Sequence, residues 1–158
     1  FAAVAHLLPG WELCMYGSGP LQSAIPAHPQ IKVHGFVQPE QLGALYREAR
    51  IFALPSHSEA WGLVVHEAAL SGCQLLLSDA IGSRDDFAGP DNAALFRAGD
   101  VASLQAALLS LASLDDDTLV RAQSSSARLA RSHGPVVFAT RVREVSNIIA
   151  HDKASFNE

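Results

Sequence analysis

The stretch IFALPSHSEAWGLVVHEAALSGCQLLLSD, residues 51–79, decides how this chain folds. IFALPS (51–56) is apolar at almost every position, which suits a strand covered on both faces, as the strands of a parallel sheet are, and Pro55 ends it. From about Gly62 to Ser71, the residues Leu63, Val64, Ala68 and Leu70 mark a helix, with Gly72 where a C-terminal stop belongs. CQLLLSD (73–79) is the next buried strand. Strand, helix, strand is the parallel crossover unit, and the expected fold class is α/β.

The same rhythm extends in both directions. Residues 1–8 look helical and stop at Pro9 and Gly10, and WELCMY (11–16) reads as a strand running into Gly17, Ser18, Gly19 and Pro20. A short helix or turn is expected next, followed by a second strand bracketed by Ile31, Val33 and the Phe36 and Val37 pair. Pro39 falls in the first turn of a helix, where its missing N–H costs nothing, and Leu42, Leu45, Tyr46 and Ala49 give that helix one buried face. Ala94 to Phe96 is a last short strand. Leu104, Leu108 and Leu111 form a helix with Asp100 as its N-cap, and Asp115, Asp116 and Asp117 open another at the favourable end of its dipole. Phe138, Val142, Val145 and Ile149 fit a final helix with Pro135 in its first turn. The expected organisation is one domain over 1–158, with a core at 11–112 and C-terminal helices at 115–151.

Composition narrows the function. A chain of 158 residues with 49% hydrophobic and 17% charged residues is one globular domain's worth of protein rather than a disordered or fibrous one. A net charge of −5 offers no basic field for a nucleic acid or an anionic membrane surface. Cys14 and Cys73 sit in or beside apolar runs, which points to reduced, buried thiols in a cytoplasmic protein rather than a disulfide scaffold or zinc module. No run approaches the ~20 apolar residues of a membrane span. The opening at Phe1, midway through what reads as a helix and without an initiator Met, suggests a fragment.

In an open parallel sheet, ligands bind beyond the carboxyl ends of the strands, so those loops carry the chemistry. GSGP (17–20) has two glycines that let backbone approach a ligand but lacks the third glycine of a dinucleotide fingerprint. The loop from Ser56 to Gly62 is more informative. Glu59 stands ahead of the helix and Glu67 projects from its second turn, while the free N–H groups of Gly62, Leu63 and Val64 point out of the helix's positive end. That end suits a phosphate. Carboxylates on either side of an anion site are placed to accept hydrogen bonds from hydroxyls, as a ligand built from sugar, diphosphate and ribose requires. His57 and His66 match no metalloenzyme spacing, and Ser56 and Ser58 lack the glycine-flanked elbow of a hydrolase nucleophile. No metal and no organic cofactor is expected.

At these residues the chain resembles the family 4 retaining glycosyltransferases of the GT-B fold. EAWGLVVHEA (59–68) looks like that family's signature of two Glu separated by seven residues, with an aromatic and a Gly after the first. GSGPL (17–21), HGFV (34–37) followed by PEQLGALYREA (39–49), IFALPS (51–56) and SGCQLLLSD (71–79) with Gly82 after it support the likeness in the family's order across about residues 11–110.

The resemblance implies a doubly wound, Rossmann-like parallel sheet, the C-terminal half of a GT-B fold, lacking its first strand. It implies a domain that binds a UDP- or GDP-hexose donor for transfer with retention to an acceptor hydroxyl, paired with an N-terminal acceptor domain missing from this chain. Glu59 would contact the transferred sugar and Glu67 the ribose, both orienting ligand and neither acting as nucleophile. The backbone from Trp61 through Gly62 and Leu63 to Val64 would hold the diphosphate, Phe36 and Val37 the base, and Gly17 and Gly19 would border the cleft. The family's diphosphate clamp, an Arg and a Lys, precedes the stretch with which this chain begins, and neither Lys32 nor Arg84 stands at the matching position. Gln74 replaces a proline usual in the family, and Ser83 to Asp91 departs from its glycine-rich loop. A non-catalytic nucleotide-sugar module, or a phosphorylase or epimerase of the same architecture, is the alternative. The expected location is the cytoplasm, or the membrane periphery for the full-length protein.

Overall fold

The computed structural model describes residues 1–134, 136, 137, 139, 140 and 142–144. Its centre is β4 (Gln74–Ser78), where all five residues are buried. Leu75 and Leu77 face one core with Val65, Ala68, Ala69 and Phe87, and Leu76 faces another with Phe96 and Leu111. A strand apolar on both faces thus sorts its side chains alternately into two helical layers.

β4 is flanked in parallel by β3 (Ile51–Leu54) and β5 (Ala93–Phe96). A second, two-stranded parallel sheet pairs β1 (Leu13–Met15) with β2 (Ile31–Val33). On one face lie α2 (Leu63–Leu70), the short α3 (Arg84–Phe87) and α5 (Asp116–Arg131), and on the other α4 (Val101–Ala112). α1 (Pro39–Glu48) precedes β3 and sends Tyr46 to the first core. This is the expected doubly wound α/β architecture.

Strand order moves outward from β1 to β2, then in the other sheet from β3 through β4 to β5. Among the described residues no strand pairs with the second edge of β1 or of β3, in keeping with a sheet that lacks one strand. The two sheets meet at their amino ends through Trp11, whose ring carries the Arg50 guanidinium 5.9 Å from its centroid. The reversal of strand order therefore falls between β1 and β3, the switch point at which open sheets of this kind place ligands.

Several expectations change in detail. The first eight residues form turns with a 3₁₀ segment at Ala5–Leu7, not a regular helix. β1 spans three residues rather than six, and β2 ends at Val33, which leaves Phe36 and Val37 in the following loop. A strand with one neighbour has half the ladder to hold it, so its ends are released. For the same reason β3 is only partly covered, and Cys14 is exposed whereas Cys73 is buried. Pro39 does open α1, and both Asp N-caps form: Asp100 accepts from the Ser103 N–H at 2.9 Å and Asp115 from the Thr118 N–H at 2.7 Å. Of the final helix, Pro135, Phe138, Val145 and Ile149 lie outside the described residues.

Candidate functional site

The loop after β3 is held in place by the chain that follows β4. Glu59 forms an isolated parallel bridge with Ile81, its N–H donating to the Ala80 carbonyl at 3.1 Å and its carbonyl accepting from the Gly82 N–H at 3.0 Å. One step further on, the Ser83 N–H donates to the Trp61 carbonyl at 3.0 Å. The two segments approach so closely that a Cβ at Gly82 would sit 2.0 Å from the Ala60 carbonyl oxygen. Only glycine fits there.

Gly62 then turns the chain into α2 with φ of +88°, the left-handed conformation that a residue with a Cβ adopts at a cost. Its carbonyl accepts the first helical bond, from the Val65 N–H at 2.9 Å. Among the described residues, the N–H groups of Gly62, Leu63 and Val64 find no acceptor, so the positive end of α2 is open at the carboxyl end of β3.

Glu59 is half-buried and folds back, one carboxylate oxygen accepting from the Trp61 N–H at 3.4 Å. Glu67 is exposed on α2 and accepts from the Tyr46 hydroxyl at 3.5 Å. Neither carboxylate has a cationic partner among the described residues, so both keep lone pairs for hydroxyl donors. Trp61 is half-exposed, and its ring edge meets Phe87 with centroids 6.4 Å apart. His66 faces α5 and α3 instead, bonded to the Ala130 carbonyl at 2.9 Å and stacked on Phe87 at 4.8 Å. His57 packs under Gly99.

Gly17, Gly19, Phe36 and Val37 lie on a second rim, at the carboxyl ends of β1 and β2. The Gly17 N–H donates to the Gly35 carbonyl at 3.0 Å, the His34 N–H to the Met15 carbonyl at 2.7 Å, and Tyr16 stacks on His34 at 4.6 Å, so these two loops are tied to each other. Phe36 is 73% exposed, with no ring contact among the described residues. No hydrogen bond, ion pair or ring contact joins this rim to the Glu59–Glu67 rim among the described residues; the open edges of β1 and β3 lie between them. Sequence reasoning missed the Tyr46 bond to Glu67 and the α3 turn. It also missed the buried Asn92, whose side chain donates to the Phe87 carbonyl at 3.0 Å and Ser126 Oγ at 2.8 Å. For α3 there was a signal in the acidic first turn of Asp85 and Asp86 and the apolar anchor Phe87, although Ser83 at the N-cap position makes no side-chain cap bond.

Residues 1–114 match the family model described as glycosyl transferases group 1. The chain is 31% identical over 110 residues to a D-inositol 3-phosphate glycosyltransferase of Corynebacterium kroppenstedtii, a match that covers 70% of this chain and 24% of that protein. Sucrose-phosphate synthase from Thermosynechococcus elongatus superposes with a TM-score of 0.76 at 18% identity, over 95% of this chain and 41% of that one. A pneumococcal O-GlcNAc transferase, solved in complex with UDP and GlcNAc, gives 0.69 at 20% identity, over 95% of this chain and 31% of that one. The chain thus spans about a quarter of the length of the curated relative and under half of each of these structures. Fold, motif order and family model agree: the chain belongs to the group 1 glycosyl transferases, with the GT-B architecture its sequence resembles.

Proposed function

We propose that this chain is the donor half of a retaining glycosyltransferase, binding a nucleotide diphosphate sugar, a UDP- or GDP-hexose, across the crevice between β1 and β3. One observation carries this reading. Among the described residues, two carboxylates without cationic partners stand on either side of a helix N-terminus whose first N–H groups find no acceptor, at the carboxyl end of a parallel strand. The N–H groups of Gly62, Leu63 and Val64 suit the diphosphate, and they would stabilise the charge that grows on it as the sugar departs. Glu59 would accept from the sugar hydroxyls and Glu67 from the ribose. Phe36 offers a face for the base, Val37 supports it, and Gly17 and Gly19 let the opposite rim approach closely. Trp61 shapes the sugar end. Retention, the acceptor hydroxyl and the N-terminal partner domain rest on the family resemblance alone. No helix among the described residues is long and apolar enough to cross a membrane.

Calorimetric titration of the folded chain with UDP, GDP and their hexose conjugates tests the reading. Binding of one nucleotide series is expected, weakened at least tenfold by Glu67→Ala. A folded chain that binds none refutes it. Turnover by the full-length protein, against binding without turnover, separates an enzyme from a non-catalytic module.

A further inference from the structure

Glu67 has one side-chain partner among the described residues, the Tyr46 hydroxyl, which donates to Oε2 at 3.5 Å. Tyr46 is itself fixed. Its ring meets Phe52 of β3 edge-on, with centroids 5.7 Å apart, and its carbonyl accepts from Cys73 Sγ at 3.1 Å and the Ala49 N–H at 3.2 Å. Burial, reinforced by the Glu67 carboxylate, pushes the phenol up to about 12, so across the neutral range it is a proton donor to that carboxylate. A carboxylate offers about four lone-pair sites, and one donor on Oε2 orients the group while leaving Oε1 unengaged.

We infer that Tyr46 is a positioning residue for ligand recognition: it aims Glu67 so that the free oxygen takes a ribose hydroxyl, which makes the site selective for ribonucleoside over deoxyribonucleoside diphosphates. The inference rests on the nucleotide-sugar reading above. It assigns to α1, an element outside the loop that carries the two Glu, the task of reading the pentose. Tyr46→Phe is a clean probe, because the ring and its contact with Phe52 remain and only the hydroxyl is lost.

The experiment titrates the chain and its Tyr46→Phe, Glu67→Gln and double variants with UDP, GDP and their 2′-deoxy counterparts, with a thermal melt of each. The chain should prefer the ribonucleotide about tenfold, the worth of one hydrogen bond to a charged group. Tyr46→Phe and Glu67→Gln should each cut that preference to about threefold or less, and the double variant should cut it no further, since coupled residues do not add. The Tyr46→Phe melt should stay within about 2 °C of the parent. If Glu67→Gln abolishes the preference and Tyr46→Phe keeps it, the role given to Tyr46 is wrong and the nucleotide reading stands. If Tyr46→Phe weakens both sugars equally, the residue is a plain clamp between α1 and α2 and the inference falls. A folded parent that binds neither nucleotide series overturns the nucleotide reading and this inference together.

Discussion

Replacing Gly82 with Ala tests the construction of the site at its tightest point. The added Cβ would lie 2.0 Å from the Ala60 carbonyl oxygen and 2.9 Å from its carbon, so it meets backbone that no rotamer change can move aside. Carbon and oxygen tolerate about 3.3 Å at closest, so the Glu59–Gly62 loop and the Gly82 segment must part by about 1.3 Å. That motion stretches the two of their three connecting bonds that flank the clash, Gly82 N–H to Glu59 and Ser83 N–H to Trp61, each 3.0 Å long. At ~1 kcal/mol per bond the loss is ~2 kcal/mol of stability, within the range for overpacking a tight site. The effect on binding should be larger than the effect on folding, because the same loop sets Glu59 and the turn at Gly62. A misplacement of about 1 Å costs on the order of 100-fold in a positioned site. Urea melts and nucleotide titrations of Gly82→Ala, with Gly43→Ala as a control whose new Cβ meets only the flexible Arg47 guanidinium, at 3.5 Å, make the comparison. Unchanged stability and affinity in Gly82→Ala would refute the packing argument.

Three further outcomes are expected. In native-state hydrogen exchange, the amides of β1 should exchange at least about 100-fold faster than those of Leu75 to Leu77, since the two-stranded sheet has little to protect it; equal protection would contradict two separate sheets. Asp115, held below its ordinary carboxyl range by the Thr118 backbone and side chain, stabilises α5 above its ordinary value of 3.8 and loses that effect as pH falls through its lowered value. Asp115→Ala should therefore melt earlier at neutral pH and match the parent in strong acid, as followed by circular dichroism. Burial pushes Cys73 up to about 11, so the stability tied to its protonated form is complete below the usual 9.0 and is lost as pH rises toward 11. Iodoacetamide at about pH 8 should label Cys14 and leave Cys73 untouched while the chain is folded.

What could be read from the sequence followed from local chemistry. The run at 74–78 announces a doubly covered strand because every residue but Gln74 and Ser78 is leucine, and Asp100, Asp115 and Pro39 mark helix starts through interactions within one turn. The two Glu and the open N-terminus of α2 were legible for the same reason, being fixed by seven intervening residues and a glycine. Contacts between distant segments were not. Nothing in the spacing of Tyr46 and Glu67 says that a hydroxyl on α1 reaches a carboxylate on α2. The need for glycine at position 82 arises only once β3 and β4 pair in register and carry their following loops together. The lengths of β1 and β2 failed in the opposite sense: their apolar patterns promise longer strands, and with a single strand partner each among the described residues they have only half a ladder to extend them.

The unpaired edges of β1 and β3 make the crevice a mechanical seam as well as a binding place. The half of the fold built on β4 has two cores, whereas the half built on β1 is tied to it by contacts as slight as the Trp11–Arg50 pair. A molecule that touches both rims acts as a removable crosslink, and its binding free energy appears as added stability of the weaker half, growing with the logarithm of its concentration. Saturation at about 100 times the dissociation constant adds ~2.7 kcal/mol, enough to let the two sheets melt as one unit. Occupancy of the crevice would then be readable from the cooperativity of unfolding, without any measurement at the site itself.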